Sequence, residues 1–461
     1  MRNILALSLA LIGLAGPALA HATEQGIVML LPTGYYIAGG VASVILTVLL
    51  VSVLPDRAAL ALFKPLPLLR SRGAGASVRI SSASFAALVL LVVAGWFGPH
   101  DPTRNPLPLA IWSLFWVALV VLQGLFGDLW RWLNPWSGPY WLLRRRLTLR
   151  PYLRYPRWLG HWPALASFLA FAAVLLAHPA PGDPDQLAPM VASYWLFHFL
   201  GMLVFGPKWR RRAEGISVLM ANYASVAIFA KRGGRWRAGL PGWRFLTQRR
   251  PPVALATFMI VMLAVGSFDG LNETFWWLGL IGVNPLEFPG RSFVVDQNLI
   301  GLAVACTVLV AGFVATVYLG TRLAGAPRRF GEAFRRLAPA ILPIALGYHF
   351  AHYMPSFLVE IQYVLRLLND PLNLGWSLLG LKDFYVTTGF FNTTATMRTI
   401  WLGQAGGVVI GHVLAILSSH ALAVQMFGTH SKATRSQLAL ATFMVLYTLF
   451  GLWLLASPRG A

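Results

Sequence analysis

Four histidines lie inside the apolar C-terminal part of the chain: His349 and His352 in LGYHFAHYM, then His412 and His420 in VVIGHVLAILSSHAL. An ionisable side chain is costly in lipid, so at such a place it faces a bundle interior, a water-filled cavity or a partner. His349 and His352 stand at i, i+3 and share a helix face. Two imidazoles on one face make half of a metal site, and neutral imidazole suits Zn, Cu, Fe or Ni. A rise of ~1.5 Å per residue puts His349 ~18 Å in from the inner end of its apolar run, near the midplane, with His352 one turn further out. The same arithmetic brings His412, and His198 in SYWLFHFLG, to a similar depth. One shared metal site of His198, His349, His352 and His412 is therefore the expectation. His420 lies two turns deeper and should matter less. The competing reading is that these histidines hydrogen-bond across helices and only pack the bundle.

Two acids, Asp269 and Glu273, follow an apolar run in SFDGLNETFWW. They suit general bases, metal ligands or carboxylates that orient a histidine. A solvated helix end with Trp276 and Trp277 as interface anchors is the plainer alternative. At the N-terminus, Arg2, the run ILALSLALIGLAG and the small residues Ala18 and Ala20 form a secretory signal. Cleavage after Ala20 leaves His21 first, offering an amino group and an imidazole to one ion, a set copper accepts well. The single cysteine, Cys306, excludes an intramolecular disulfide and a multi-cysteine metal centre.

The elements that must carry these residues are membrane helices. With 57% hydrophobic and 11% charged residues, the chain is too apolar for an ordinary soluble domain. Apolar runs at 28–54, 81–98, 107–127, 159–178, 186–206, 253–268, 298–323, 337–355, 401–427 and 436–456 each approach the length that crosses a bilayer. The fold class is all-α: a polytopic transmembrane helical bundle of ten spans, with residues 1–20 as signal peptide and 21–461 as one membrane domain. With the N-terminus outside, the inner loops and the span ends that meet them hold 30 of the 37 Lys and Arg but only four of the 15 acids. That is the asymmetry expected when positive loops stay in the cytoplasm. It places both termini outside a bacterial inner membrane and accounts for the net charge of +22 without nucleic acid.

The run 214–231 has only about 15 apolar residues between basic flanks, short for a span. It reads as an interfacial or re-entrant helix on the cytoplasmic face. The aromatic and basic loop 128–158 reads as an interface segment on anionic lipid. After the run 337–355, VEIQYVLRLL has the spacing of a short surface amphipathic helix. No GxSxG, dinucleotide-binding or phosphate-loop pattern stands out.

Several of these pieces together resemble one family. The outer His-Ala before the first span, GDLWRWLNPW (127–136), FDGLNETFWW (268–277), LGYHFAHY (346–353), NDPLNLGW (369–376), GHVLAILSSHALA (411–423) and TRSQ (434–437) occur in the order seen in bacterial multi-span membrane proteins labelled fenitrothion hydrolase. The resemblance covers most of the mature chain and implies metal-assisted hydrolysis of an organophosphorus ester. LLPTGYY (30–36) stands where that pattern has an Asp-Leu-Pro segment, so its acid is missing here.

Three functions follow from these residues. The first is an outward-facing metallohydrolase with a Zn or Cu site at His349, His352 and His412 and with Asp269 or Glu273 as base. The second is a transporter or metal-handling protein using the same histidines along a path, for which breaks such as GQAGGVVIG and APAILPIALG suit discontinuous helices. The third is a b-type cytochrome with two histidines on one haem. The expected partners are the lipid bilayer, a small-molecule substrate or metal ion, and a periplasmic protein docking on the outer loops.

Overall fold

The computed structural model describes residue 28 and residues 31–70, 77–148, 150–371, 374–381 and 384–459. The signal sequence and His21 lie outside the described residues. Helices dominate, as the apolar runs require, and they form an all-α bundle. Among the described residues, eight helices are long and apolar enough to cross a membrane. They are α1 (Thr33–Val53), α2 (Ser77–Phe97), α3 (Pro106–Phe126), α5 (Pro184–Phe205), α7 (Val253–Leu271), α8 (Arg291–Leu323), α10 (Thr394–Phe427) and α11 (His430–Ala456). Between them stand α4 (Trp162–Ala177), α6 (Gly215–Val226) and α9 (Leu342–Asn369). The chain is a multi-pass membrane protein. The other two expected spans fall on helices outside these eight: α4 has only 16 residues, and the 28 residues of α9 include two histidines, a glutamate and an arginine.

A short helix in a membrane leaves its last carbonyls unpaired, and lipid offers no donor. Side chains from elsewhere supply them here. Arg291 donates to the carbonyl of Leu175 at 2.7 Å, and Asn298 to that of Leu176 at 3.2 Å. Helix α9 solves a related problem. It continues through Pro355 to Asn369, so the expected separate surface helix after residue 355 is its second half. Proline lacks the N–H that would meet Ala351 four residues back. Gln404 on α10 donates to that carbonyl instead, at 2.8 Å.

Helices α9 and α10 touch backbone to backbone. A Cβ at Gly347 would lie 2.3 Å from the Gly407 carbonyl oxygen, and one at Gly411 would lie 2.6 Å from that of Pro343. Gly407 and Gly411 form the GxxxG spacing that lets membrane helices approach closely.

Helix α6 is shorter than the helices long enough to cross a membrane. Its 12 residues cover only ~18 Å. Gly215 meets Ala164 and Phe168 in the first turns of α4, while Ile228, just beyond the helix, donates to Leu125 at the end of α3. The chain from 127 to 161 joins those two ends on one side of the bundle, so α6 lies across that side. Eleven of its 12 residues are buried, which favours the re-entrant form over an interfacial one. Its N-terminus is capped by fully buried Glu214, which accepts from Ile216 N at 2.7 Å, Ser217 N at 2.6 Å and the Tyr194 hydroxyl at 2.5 Å. A carboxylate there satisfies orphan amides and complements the helix dipole. After α6, β2 (Phe229–Arg232) and β3 (Arg235–Ala238) form a hairpin, and β1 (Leu66–Arg70) adds to it in the antiparallel order β1-β3-β2.

Candidate functional site

The candidate centre forms where α3, α7 and α9 meet above α6. Most of α3 is a π-helix, Leu109–Leu119, a widened form that often accompanies functional sites. The Trp116 carbonyl within it is 2.8 Å from His349 Nε2. A carbonyl only accepts, so Nε2 carries the proton and the neutral ring has its lone pair on Nδ1. Three residues on, His352 Nε2 faces Asp269 Oδ2 at 3.3 Å, and the buried Tyr353 hydroxyl donates to the same oxygen. His352 Nδ1 is buried without a partner, and so is the Tyr348 hydroxyl. Small residues make the room: Gly266 and Ala345 line a small cavity of ≈ 20 Å³ with Asp269, His349, His352 and Tyr353. Leu219 and Tyr223 of α6 also line it, which makes that helix its floor.

This volume holds about one water molecule or one ion. The two histidines are oriented as metal-ligating histidines usually are, one ring nitrogen tied to a carboxylate or a carbonyl and the other left with its lone pair. Both rings thus keep a lone pair on Nδ1, while the ligand atoms of His349, His352 and Asp269 do not all lie within 4.8 Å of one another.

Of the sequence-expected residues, the structure brings His349, His352 and Asp269 together and sets the others apart. Glu273 is exposed, one turn beyond Asp269, and does not line the cavity. His198 is spent elsewhere: Trp209 Nε1 donates to its Nδ1 at 3.1 Å, and its Nε2 meets Ser167 Oγ at 3.1 Å. Because indole is only a donor, that ring has no lone pair left for an ion. His412 Nδ1 binds the Val408 carbonyl of its own helix at 2.9 Å, and its ring lies beside Tyr447, away from the cavity. Tyr348 and Tyr353 were missed by reading charge and histidine alone. Their signal was the spacing YHFAHY, which places a hydroxyl next to each histidine.

Two other places stand out. A roomy apolar cleft of ≈ 650 Å³ opens between α2, α3, α4 and α5, and none of the histidines lines it. Trp116 and Phe171, rings 4.8 Å apart, stand between this cleft and the small cavity. At the opposite end of the bundle from Asp269, Asp56, His420 and His430 place one ligand atom each within 4.8 Å of one another. Compared with known proteins, the chain matches no family model, no curated protein and no solved structure.

Proposed function

We propose that this multi-pass protein holds one small cation of the Zn or Cu class at His349, His352 and Asp269 and handles that ion from the outer side of a bacterial inner membrane. One observation carries the reading: a cavity with room for a single ion or water is lined by His352 and Tyr348, whose Nδ1 and hydroxyl are buried without a partner. Unsatisfied buried polar groups are costly, and a bound ion or water satisfies them. His349 and His352 bind through Nδ1, the Trp116 carbonyl and Asp269 hold the rings, and Tyr353 fixes the carboxylate. Positive-inside charge supports the orientation, with α6 as cytoplasmic floor and both termini outside. Reporter fusions after Arg150 and Arg244 should read cytoplasmic, and fusions within 275–295 and 375–395 periplasmic; the reverse sinks the orientation.

The resemblance to fenitrothion hydrolase-like proteins gives a second reading, ester hydrolysis at the same centre. The ≈ 650 Å³ cleft favours it, since ligand pockets of this size and apolarity take drug-sized molecules. A metal there would supply a water activated near neutral pH. Asp269 would accept its proton, and the Trp116–Phe171 wall would have to open for an apolar ester.

Metal analysis, an absorbance spectrum and an assay with a chromogenic phosphotriester on the purified chain separate the readings. The metal-handling reading expects one equivalent of bound Zn or Cu that His349→Ala and His352→Ala each lose. Turnover of the ester, lost in the same variants, supports the second. A Soret band, or full metal content in both variants, overturns both.

A further inference from the structure

Ten histidines occur in the chain, and the central site uses two. Among the others, one group converges from three segments far apart in sequence. Asp56 opens the short helix Asp56–Ala61 just after α1, His420 lies near the end of α10, and His430 begins α11. His420 is buried, only 3% exposed, and its Nε2 has no partner. Asp56 Oδ1 is 2.8 Å from His430 Nδ1, and His430 Nε2–H donates to the Ser52 carbonyl at 2.8 Å. That second bond fixes the ring so that Nδ1 points at Asp56, the way an outer partner orients a ligating histidine. A cavity of ≈ 40 Å³ adjoins His420, with Ser52, Thr434 and Gln437 on its polar side and room for a water or two. The Thr434 hydroxyl there is also buried without a partner.

We infer that Asp56, His420 and His430 form a second divalent-cation site of the Zn class, clamping α1, α10 and α11 together at the end of the bundle opposite Asp269. Its ligands are Asp56 Oδ1, His420 Nε2 and His430 Nδ1, and water from the adjoining cavity completes the shell. When a cation enters, the proton between His430 Nδ1 and Asp56 leaves to solvent, and the Ser52 bond is kept. Two imidazoles and one carboxylate suit Zn²⁺, while Ca²⁺ and Mg²⁺ prefer all-oxygen shells. The site does not depend on the reading of the central cluster.

The test is titration of the full-length, detergent-purified chain with Zn²⁺, and with Co²⁺ for its visible ligand-field bands. The His349→Ala/His352→Ala chain should keep one equivalent of tight Zn²⁺. Asp56→Asn and His430→Gln should each weaken that equivalent by at least ~100-fold, beyond the 10–100-fold loss typical of outer-shell partners. Both side chains are part-exposed, 32% and 43%, so these variants fold even if His420→Gln does not. Absence of bound Zn²⁺ in the wild type, or an unchanged equivalent in both variants, overturns the inference. A wild type that binds a single equivalent, kept in the His349→Ala/His352→Ala chain and weakened in Asp56→Asn and His430→Gln, would refute the first site and leave this one standing.

Discussion

Asp269 is the residue whose replacement tests the centre most sharply. Its carboxylate accepts from Tyr353 and faces His352, with side-chain exposures of 8% for His352 and 10% for Asp269. Asp269→Ala removes the acceptor from two buried donors. Breaking a buried pair costs roughly 3–5 kcal/mol, a large part of a domain's stability. Asp269→Asn is gentler and more telling. Tyr353 and His352 both meet Oδ2, so an NH₂ at that position turns both contacts round: it donates to the Tyr353 oxygen and to His352 Nε2. The ring then moves its proton from Nε2 to Nδ1 so that Nε2 can accept. That costs about 1 kcal/mol as one exchanged hydrogen bond. It also takes the lone pair away from the cavity, and metal affinity should fall by roughly 10–100-fold. Thermal unfolding in detergent and a Zn²⁺ or Cu²⁺ titration read the two effects separately. If Asp269→Asn binds metal as tightly as the wild type, the orientation argument for His352 is refuted. If Asp269→Ala unfolds no more easily than Asp269→Asn, the buried pair contributes nothing.

Three other outcomes are expected. Gly270→Ala should destabilise by several kcal/mol, since its Cβ would stand 1.8 Å from the Tyr348 hydroxyl; Tyr348→Phe should recover part of the lost thermal stability, and no recovery would place the strain elsewhere. Glu214→Ala should cost ~3 kcal/mol or more by uncapping α6 and leaving the Tyr194 hydroxyl without its carboxylate acceptor, with Glu214→Gln milder, as measured by thermal unfolding of the extracted proteins. Burial, then nearby Arg212, lowers the His161 pKa to about 4. The unfolded chain binds that proton near pH 6.5 and the folded one does not, so stability should fall as pH drops from about 6.5 towards 4. His161→Gln should flatten this slope by roughly 1–2 kcal/mol, after discounting for partial exposure.

The helices were legible because long apolar runs leave the backbone no other way to satisfy itself in lipid. The short α6 was legible too, since about 15 apolar residues are short for a span. Pairing His349 with His352 needed only the helical period. Depth arithmetic then misled for His198 and His412. Rise along an axis fixes a residue's level but not its azimuth, and these rings turn towards Trp209 and Val408. The merger of VEIQYVLRLL into α9 was hidden because Pro355 reads as a stop until Gln404 is seen to serve Ala351. Asp56 and His430 lie 374 residues apart, and in isolation each looks like an ordinary solvated loop residue.

The glycine contact between α9 and α10 has a mechanical consequence. Where backbones meet directly, no side chains can change rotamer to let one helix slide or tilt past the other. The two helices must travel as one stiff plate that carries His349 and His352. Any breathing that admits an ion then falls to the other walls: to α3, where the wide π-helical turns are easily rewound, and to the short α6, which is tethered at its ends. A gate in this molecule is a movement of those walls against a fixed plate, and a cross-link between α9 and α10 should leave it free to open.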